Sequence, residues 1–173
     1  MAISLYEGSV ASYLQTLNAV SGFLAKGRSH FRDSNIDPEE IVATRLFPDM
    51  RPFRFQIQSV VFHSLGAVEA IRSGVLNFPG ERPDHDYAAL QTLITDARDA
   101  LQKLTPEEVN SREGAEVVFQ ARDRKRLFTA EGFLLSFSLP NFHFHATTAY
   151  NILRSKGVPV GKLDYLGVLR EKV

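Results

Sequence analysis

The sequence of 173 residues contains no cysteine. The chain can therefore form no disulfide, carry no thiolate nucleophile and hold no zinc or iron–sulfur site with cysteine ligands. A bound metal ion would have to be held by histidine, carboxylate or amide side chains.

The chain also has no excess charge of either sign, because 20 Lys and Arg residues balance 20 Asp and Glu residues. A balanced chain has no overall field that would hold a polyanion. The longest basic run, Arg122 to Arg126, is interrupted by Asp123 and lies between two strand-like segments, which is typical of a solvated turn. We therefore expect no nucleic-acid partner.

Long hydrophobic runs are missing as well. None approaches the ~20 residues of a membrane span, and the N-terminal residues lack the basic and apolar regions of a signal peptide. These absences predict a cytoplasmic protein without membrane contact. Apolar residues make up 44% and charged residues 23%, close to the globular average, which with the length predicts a single domain spanning 1–173.

Four long helices are predicted where apolar residues recur at three- and four-residue steps. The first covers 5–26, begins after Ser4 with Glu7 at capping-box spacing, and ends at Gly27. The other three are expected over 52–73, ending at Gly74, from Tyr87 to Leu104, and over 141–156, ending at Gly157.

Shorter elements are predicted between these helices. Asp37 begins a short helix over 38–46, and Thr105 begins a single further turn with a capping box. A period nearer two over 116–130, with a charged turn at 122–125, predicts a β-hairpin that lies on the helices or pairs with another subunit. Thr129 begins a short helix through Phe137, ended by Pro140, whereas 75–86 is interpreted as a long crossover loop.

Four long helices with one long crossover between the second and the third favour an all-α four-helix bundle that carries one small β-hairpin.

Two of the five histidines are the candidates for chemistry. His30 and His85 fall in predicted loops, and we expect them at the surface. His63 lies in the middle of the second helix at the margin of its apolar face, where it is either a hydrogen-bonded core residue or a ligand. His143 and His145 project about 200° apart from one helix, so at most one faces the core. His63 and His145 are the one pair that could meet across helices.

The segment from Phe133 to His145 places several aromatic residues beside these histidines. It is interpreted either as core or as the lining of a pocket.

Several motifs resemble a bacterial and fungal domain-of-unknown-function family within the DinB/YfiT-like superfamily. The resemblance covers essentially the whole chain. It rests on Leu46 to Met50, Pro52 to Gln56, Pro140 to His145, Thr148 to Tyr150, Ile152 to Arg154, Gly157-Val158 and Gly161 to Gly167.

The resemblance implies a DinB-type four-helix bundle and a homodimer, in a superfamily that includes metal-dependent thiol-transferases and hydrolases. In metal-binding relatives, one histidine comes from the second helix and two come from a His-x-x-x-His pair in the last helix. By this resemblance, His63 stands at the position of the first ligand, and His145 stands at the second position of the pair. Asn141 occupies the remaining ligand position, where an amide oxygen is a weak ligand for zinc or nickel.

Two functions follow as hypotheses, and the sequence leaves open whether the chain is an enzyme. The favoured one is a bundle protein without a complete metal site that binds a small molecule in its core. The alternative is a hydrolase or thiol-transferase-type enzyme that uses Zn or Ni held by His63 and His145.

Overall fold

The computed structural model describes residues 3–172; the predicted domain 1–173 extends to residues 1, 2 and 173, which lie outside them. The helices are α1 Leu5–Gly8, α2 Val10–Asp33, α3 Pro38–Val42, α4 Phe53–Phe62, α5 Leu65–Ser73, α6 Tyr87–Leu101, α7 Pro106–Asn110, α8 Ala130–Gly132, α9 Leu139–Ser155 and α10 Lys162–Leu166. A π-helix spans Phe133–Ser138 between α8 and α9, and the strands are β1 Val75–Asn77, β2 Glu116–Ala121 and β3 Arg124–Thr129.

The long helical segments pack around one core. The helix α2 contacts α6 and α9, and α4 contacts the same two helices. The largest fully buried side chains come from all of them and include Tyr13, Phe23, Phe31, Phe53, Phe133 and Phe142. The predicted class is confirmed as mostly helical with a small sheet, but the expected count of four helices is not. Within residues 3–172, no helix has the length and apolar character needed to cross a bilayer.

The N-terminal helix differs from the prediction in two ways: it is interrupted near its start, and it ends later than expected. Ser4 accepts a hydrogen bond from the Glu7 amide, as a cap should, but the helix is interrupted at Ser9. Gly27 does not end α2, which continues to Asp33. A Cβ at Gly27 would lie 2.6 Å from the Tyr87 hydroxyl. The glycine is therefore explained by the close approach of Tyr87 and not by a helix end.

Three shorter helices begin where capping residues predicted them. Asp37, Thr105 and Thr129 each accept a hydrogen bond from a backbone amide in the first turn of the helix that follows. The first of these helices, α3, ends at Val42, short of the expected residue 46. α10 was not predicted.

The predicted second long helix is divided at His63 and Ser64 into α4 and α5. The Ser64 hydroxyl donates to the carbonyl oxygen of Val60 at 2.7 Å, and such side-chain bonds compete with the helical backbone ladder. The predicted end at Gly74 is confirmed, because this residue has φ +84°. The break places His63 at the C-terminal cap of α4.

The predicted hairpin is confirmed and has a third strand. β2 and β3 are antiparallel around Arg122 and Asp123, and Phe119 pairs with Arg126. The segment interpreted as a crossover loop begins with β1, which pairs parallel with β2, Leu76 opposite Phe119. The hairpin is thus anchored to α5 through β1, which supplies the extra strand that an isolated hairpin lacks.

Pro140 does not end the short helix that begins at Thr129, contrary to the prediction. The chain passes from α8 through the π-helix into α9, and Pro140 lies in the first turn of α9. Proline has no N–H to donate to the turn before it, and a π-helix rather than a regular α-helical turn precedes it here. The end near Gly157, which has φ +85°, is confirmed.

Candidate functional site

His63, Asn141 and His145 line one pocket of about 450 Å³. The pocket lies where α4 meets α9, and β2 and β3 cover it. Its volume is within the range of small-molecule sites, roughly 300–1,000 Å³. The structure thus brings together the three residues singled out from the sequence.

The tautomer of His145 is set by Gln56. The Nδ1 atom of His145 lies 2.7 Å from Oε1 of Gln56, while Nε2 of Gln56 donates to the backbone carbonyl of Arg51 at 2.8 Å. An amide oxygen only accepts, so Nδ1 of His145 carries the proton. Its Nε2 atom therefore keeps a lone pair.

His63 is fixed by its backbone rather than by its ring. Its carbonyl oxygen accepts a 2.6 Å hydrogen bond from Ser138 Oγ, which itself accepts one from the Tyr13 hydroxyl at 2.8 Å. The ring stacks on His145 with centroids 5.7 Å apart and an interplanar angle of 14°. Within the described chain, Nδ1 of His63 is buried without a hydrogen-bond partner.

Both imidazoles are neutral at physiological pH. Burial, together with His145 and Arg82, lowers the pKa of His63 from 6.5 to about 3. Burial and Arg82 lower the pKa of His145 from 6.5 to about 4. The two rings therefore offer hydrogen-bonding atoms and no charge.

The amide nitrogen of Asn141 already has a hydrogen-bond partner. Nδ2 donates to the carbonyl oxygen of Phe137 at 2.7 Å, which leaves Oδ1 as the available atom. Phe137, Asn141 and His145 follow one another at four-residue steps and line the same pocket.

Aromatic rings form the apolar walls of the pocket. They belong to Phe55 of α4, Phe78 directly after β1, Phe119 of β2 and Phe137 of the π-helix. The Phe119 and Phe137 rings pack with centroids 4.7 Å apart, which joins the sheet to the π-helix.

Arg82 reaches the pocket from the segment that follows β1. Its guanidinium carbon lies 4.2 Å from the centroid of the Phe55 ring, and Nη1 donates to Ser59 Oγ at 2.9 Å. Gln58 fixes the neighbouring chain by donating to the carbonyl oxygen of Pro83 at 2.8 Å. Burial, with Arg51 nearby, lowers the pKa of Arg82, although a guanidinium remains charged.

Two more arginines come from β3. Arg124 and Arg126 line the pocket and are paired with Ala121 and Phe119 of β2, which also line it. Alternate residues of a strand share a face, so Lys125 between them belongs to the other face. No carboxylate is found among the residues within 3–172 that line this pocket.

A second cavity, of about 720 Å³, lies on the other side of Arg82 and Phe55. Its lining is also rich in arginine but includes Glu81 and Asp84, and Asp84 forms an ion pair with Arg54. The two cavities therefore differ in charge. Among the described residues, acidic side chains line the second cavity but not the histidine pocket.

The side chains present do not make a complete site for zinc or nickel. His63 and His145 are two ligands, the third position is the neutral amide of Asn141, and the charged side chains of the lining are Arg82, Arg124 and Arg126, which repel a cation. Structural and catalytic zinc sites use at least three strong protein ligands. In the part of the chain that the structure describes, no group of three or more His, Cys, Asp or Glu side chains could hold a metal ion.

The other histidines lie outside the pocket. His143 is exposed on α9, as expected from its spacing to His145. The expectation that His30 lies in a loop was wrong, since it belongs to the last turn of α2. His85 is partly buried and 2.9 Å from Nε2 of Gln58.

The sequence did not single out the arginines of the pocket or Gln56 as site residues. The sequence predicts a solvated turn over Arg122 to Arg126, although strand alternation puts Arg124 and Arg126 on the face of Phe119. Gln56 precedes His63 by seven residues, which is two helical turns, and that spacing was a signal for their shared face. Nothing in the sequence pattern pointed to Arg82.

Comparison with known proteins gives a family and a fold. A family model described as a domain of unknown function (DUF1993) matches residues 5–166. The chain is similar to a crystal structure of a DinB family member protein from Shewanella denitrificans, with a TM-score of 0.83 and 24% sequence identity over 98% of this chain and 95% of that chain. No curated protein matches the sequence.

Proposed function

We propose a function for this chain, which belongs to the DUF1993 family of domains of unknown function: it binds a small organic molecule in the pocket between α4 and α9 without a divalent metal ion. The DinB-like structural neighbour supports the fold on which this proposal rests.

One observation carries the proposal, namely that two neutral imidazoles line an aromatic pocket of ligand size. Nε2 of His145 is left unpaired by the bond between Nδ1 and Gln56, so it can accept a hydrogen bond from a ligand. Nδ1 of His63 also lacks a partner among residues 3–172, but it is buried from solvent, so a ligand contacts the His63 ring through its other atoms.

A metal-dependent enzyme is the competing function. It would use His63 and His145 as ligands, and the hydrogen bond from His145 to Gln56 resembles the bonds that orient metal-binding histidines. The missing third strong ligand and the nearby positive charges argue against it, because a divalent cation gains no compensating negative charge here.

The experiment combines elemental analysis with a titration. Protein prepared without a histidine tag and incubated with zinc or nickel is dialysed and analysed for metal, and it is then titrated with 2-naphthoate and 2-naphthamide by NMR. We expect less than a tenth of an equivalent of metal and saturable shifts from at least one probe.

Matched variants locate the binding. His145→Ala should weaken probe binding at least tenfold, whereas His143→Ala, at an exposed position two residues away on α9, should leave it unchanged. The proposal is overturned if the protein binds one equivalent of metal and His145→Ala abolishes that binding. It is also overturned if neither probe binds.

We further propose that α2, the α4–α5 pair, α6 and α9 are the four helices of a DinB-type bundle and that the protein is a homodimer. The dimer is expected from the family resemblance, and sedimentation at several protein concentrations tests it. A monomer over the whole range would refute it.

A further inference from the structure

We propose that the occupant of the histidine pocket is an organic anion, whose charged group is held by Arg82, Arg124 and Arg126 and whose ring lies between the aromatic walls. This inference rests on the proposed function and names the class of ligand for the same site.

Arg82 is the first observation. It is partly buried, its Nη1 atom donates to the neutral oxygens of Ser59 and Phe55, and its guanidinium carbon lies over the Phe55 ring. No carboxylate forms an ion pair with it anywhere in residues 3–172. A partly buried charge is stabilised by an oppositely charged partner. The other guanidinium nitrogens of Arg82 can therefore bind an anion in the pocket that the residue lines.

Arg124 and Arg126 bring two more positive charges to the same pocket from a different element. Neither takes part in an ion pair among the described residues. Their partners across the hairpin, Ala121 and Phe119, are apolar, so the neighbouring strand does not neutralise them either. Three positive charges therefore line one pocket without a paired carboxylate, and their combined field favours an anion bound there.

The remaining lining fits the rest of such a ligand. Phe119 and Phe137 lie on the sheet and π-helix sides of the pocket, where a flat apolar ring has aromatic neighbours. The neutral rings of His63 and His145 add hydrogen-bonding atoms without adding charge. Guanidinium groups bind carboxylate, sulfonate and phosphate oxygens in the same forked geometry, so these three anions share the chemistry that we infer.

The test compares probes that share a naphthalene ring and differ in the charge of the group attached to it. 2-Naphthoate, 2-naphthalenesulfonate and 2-naphthyl phosphate carry the anion, 2-naphthamide is neutral, and 2-naphthylmethylamine is a cation at pH 7. Isothermal titration at low and moderate salt should show at least one anion binding tenfold or more tightly than the amide, with no saturable binding of the cation. The order among the three anions identifies the preferred charged group.

Variants separate the pocket from the general field of the hairpin. Arg126→Gln and Arg124→Gln should each reduce the preference for the anion at least threefold, and both positions are exposed, so the melting temperature should change little. Lys125→Gln removes the same charge from the opposite face of the strand and should leave the preference unchanged.

Three outcomes of these measurements would contradict different parts of the proposal. If the amide binds as tightly as every anion, the charge inference is wrong while the binding pocket stands. If no probe binds at all, the proposed function itself fails. If Lys125→Gln reduces the preference as much as Arg126→Gln, the anions are attracted by the surface field and the pocket inference is overturned.

Discussion

Ser138 Oγ donates a 2.6 Å hydrogen bond to the carbonyl oxygen of His63, which joins the π-helix to the break between α4 and α5. This buried hydrogen bond holds the two irregular segments against each other. The Tyr13 hydroxyl donates to the same Oγ at 2.8 Å and ties α2 to this point. The two hydrogen bonds thus fix the backbone at His63, whose ring packs against Phe137 and His145.

Ser138→Ala should destabilise the protein by about 1–3 kcal/mol, because it leaves a buried carbonyl and a buried phenol without partners. Urea unfolding followed by circular dichroism measures the change. Ser136→Ala is the matched control, since Ser136 is exposed on the same π-helix. Equal stability of the two variants would show that the link to His63 contributes nothing.

Asn141→His should create a metal site where the natural chain has an incomplete one. Three imidazoles would then face the pocket, which matches the ligand number of a catalytic zinc site. We expect about one equivalent of zinc to bind to the variant and its thermal stability to rise with zinc concentration. Asn141→Gln keeps an amide and should gain nothing, and a variant with three histidines that still fails to bind zinc would refute this account of the pocket.

The free energy of unfolding should decrease as the pH falls from about 7 to 5. The pKa values of His63 and His145 are lowered in the folded state from 6.5 to about 3 and about 4. At pH values between 6.5 and these lowered pKa values, the unfolded chain therefore binds protons that the folded chain does not. The fall can reach about 1.4 kcal/mol per pH unit for each histidine. Most carboxylates stay ionised in this window, which keeps their contribution small.

Comparison of slopes isolates the histidine contribution. His63→Gln removes one titrating ring, so its stability should fall less steeply with decreasing pH over the same window. Denaturant unfolding at several pH values measures both slopes. Parallel curves for the two proteins would mean that His63 is not kept neutral by the fold.

Gly27→Ala should destabilise the protein, whereas Gly22→Ala on the same helix should stabilise it. A Cβ at Gly27 would lie 2.6 Å from the Tyr87 hydroxyl, and Tyr87 is held by a hydrogen bond to the Leu24 carbonyl and by stacking on Phe53. Overpacking of this kind costs about 1–3 kcal/mol, more than the gain of about 1 kcal/mol in helix propensity.

Nothing lies within 4 Å of a Cβ built at Gly22, so only the propensity gain remains at that position. Melting temperatures of the two variants should therefore move in opposite directions. A stabilised Gly27→Ala protein would show that Tyr87 moves without cost.

Local signals were predictable because they depend on neighbouring residues alone. The caps at Ser4, Asp37, Thr105 and Thr129, the hairpin and the end at Gly74 were all read from short-range chemistry. Predictions from the same local signals were wrong at two helix ends. Gly27 does not end α2 but leaves space for the Tyr87 hydroxyl, and Pro140 does not end a helix because it lies in the first turn of α9, directly after the π-helix.

The mostly helical fold and the two histidines that could meet were predictable from the sequence, because helical periodicity and capping are properties of short segments. The surroundings of those histidines depend on long-range packing. It divided the second helix at His63, brought Arg82 over Phe55, and turned Arg124 and Arg126 toward the pocket. The break at His63 and the position of Arg82 arise from contacts between residues far apart in the chain, and local spacing carries no record of them. Strand alternation places Arg124 and Arg126 on one face of β3, but only the packing of the sheet directs that face toward the histidines.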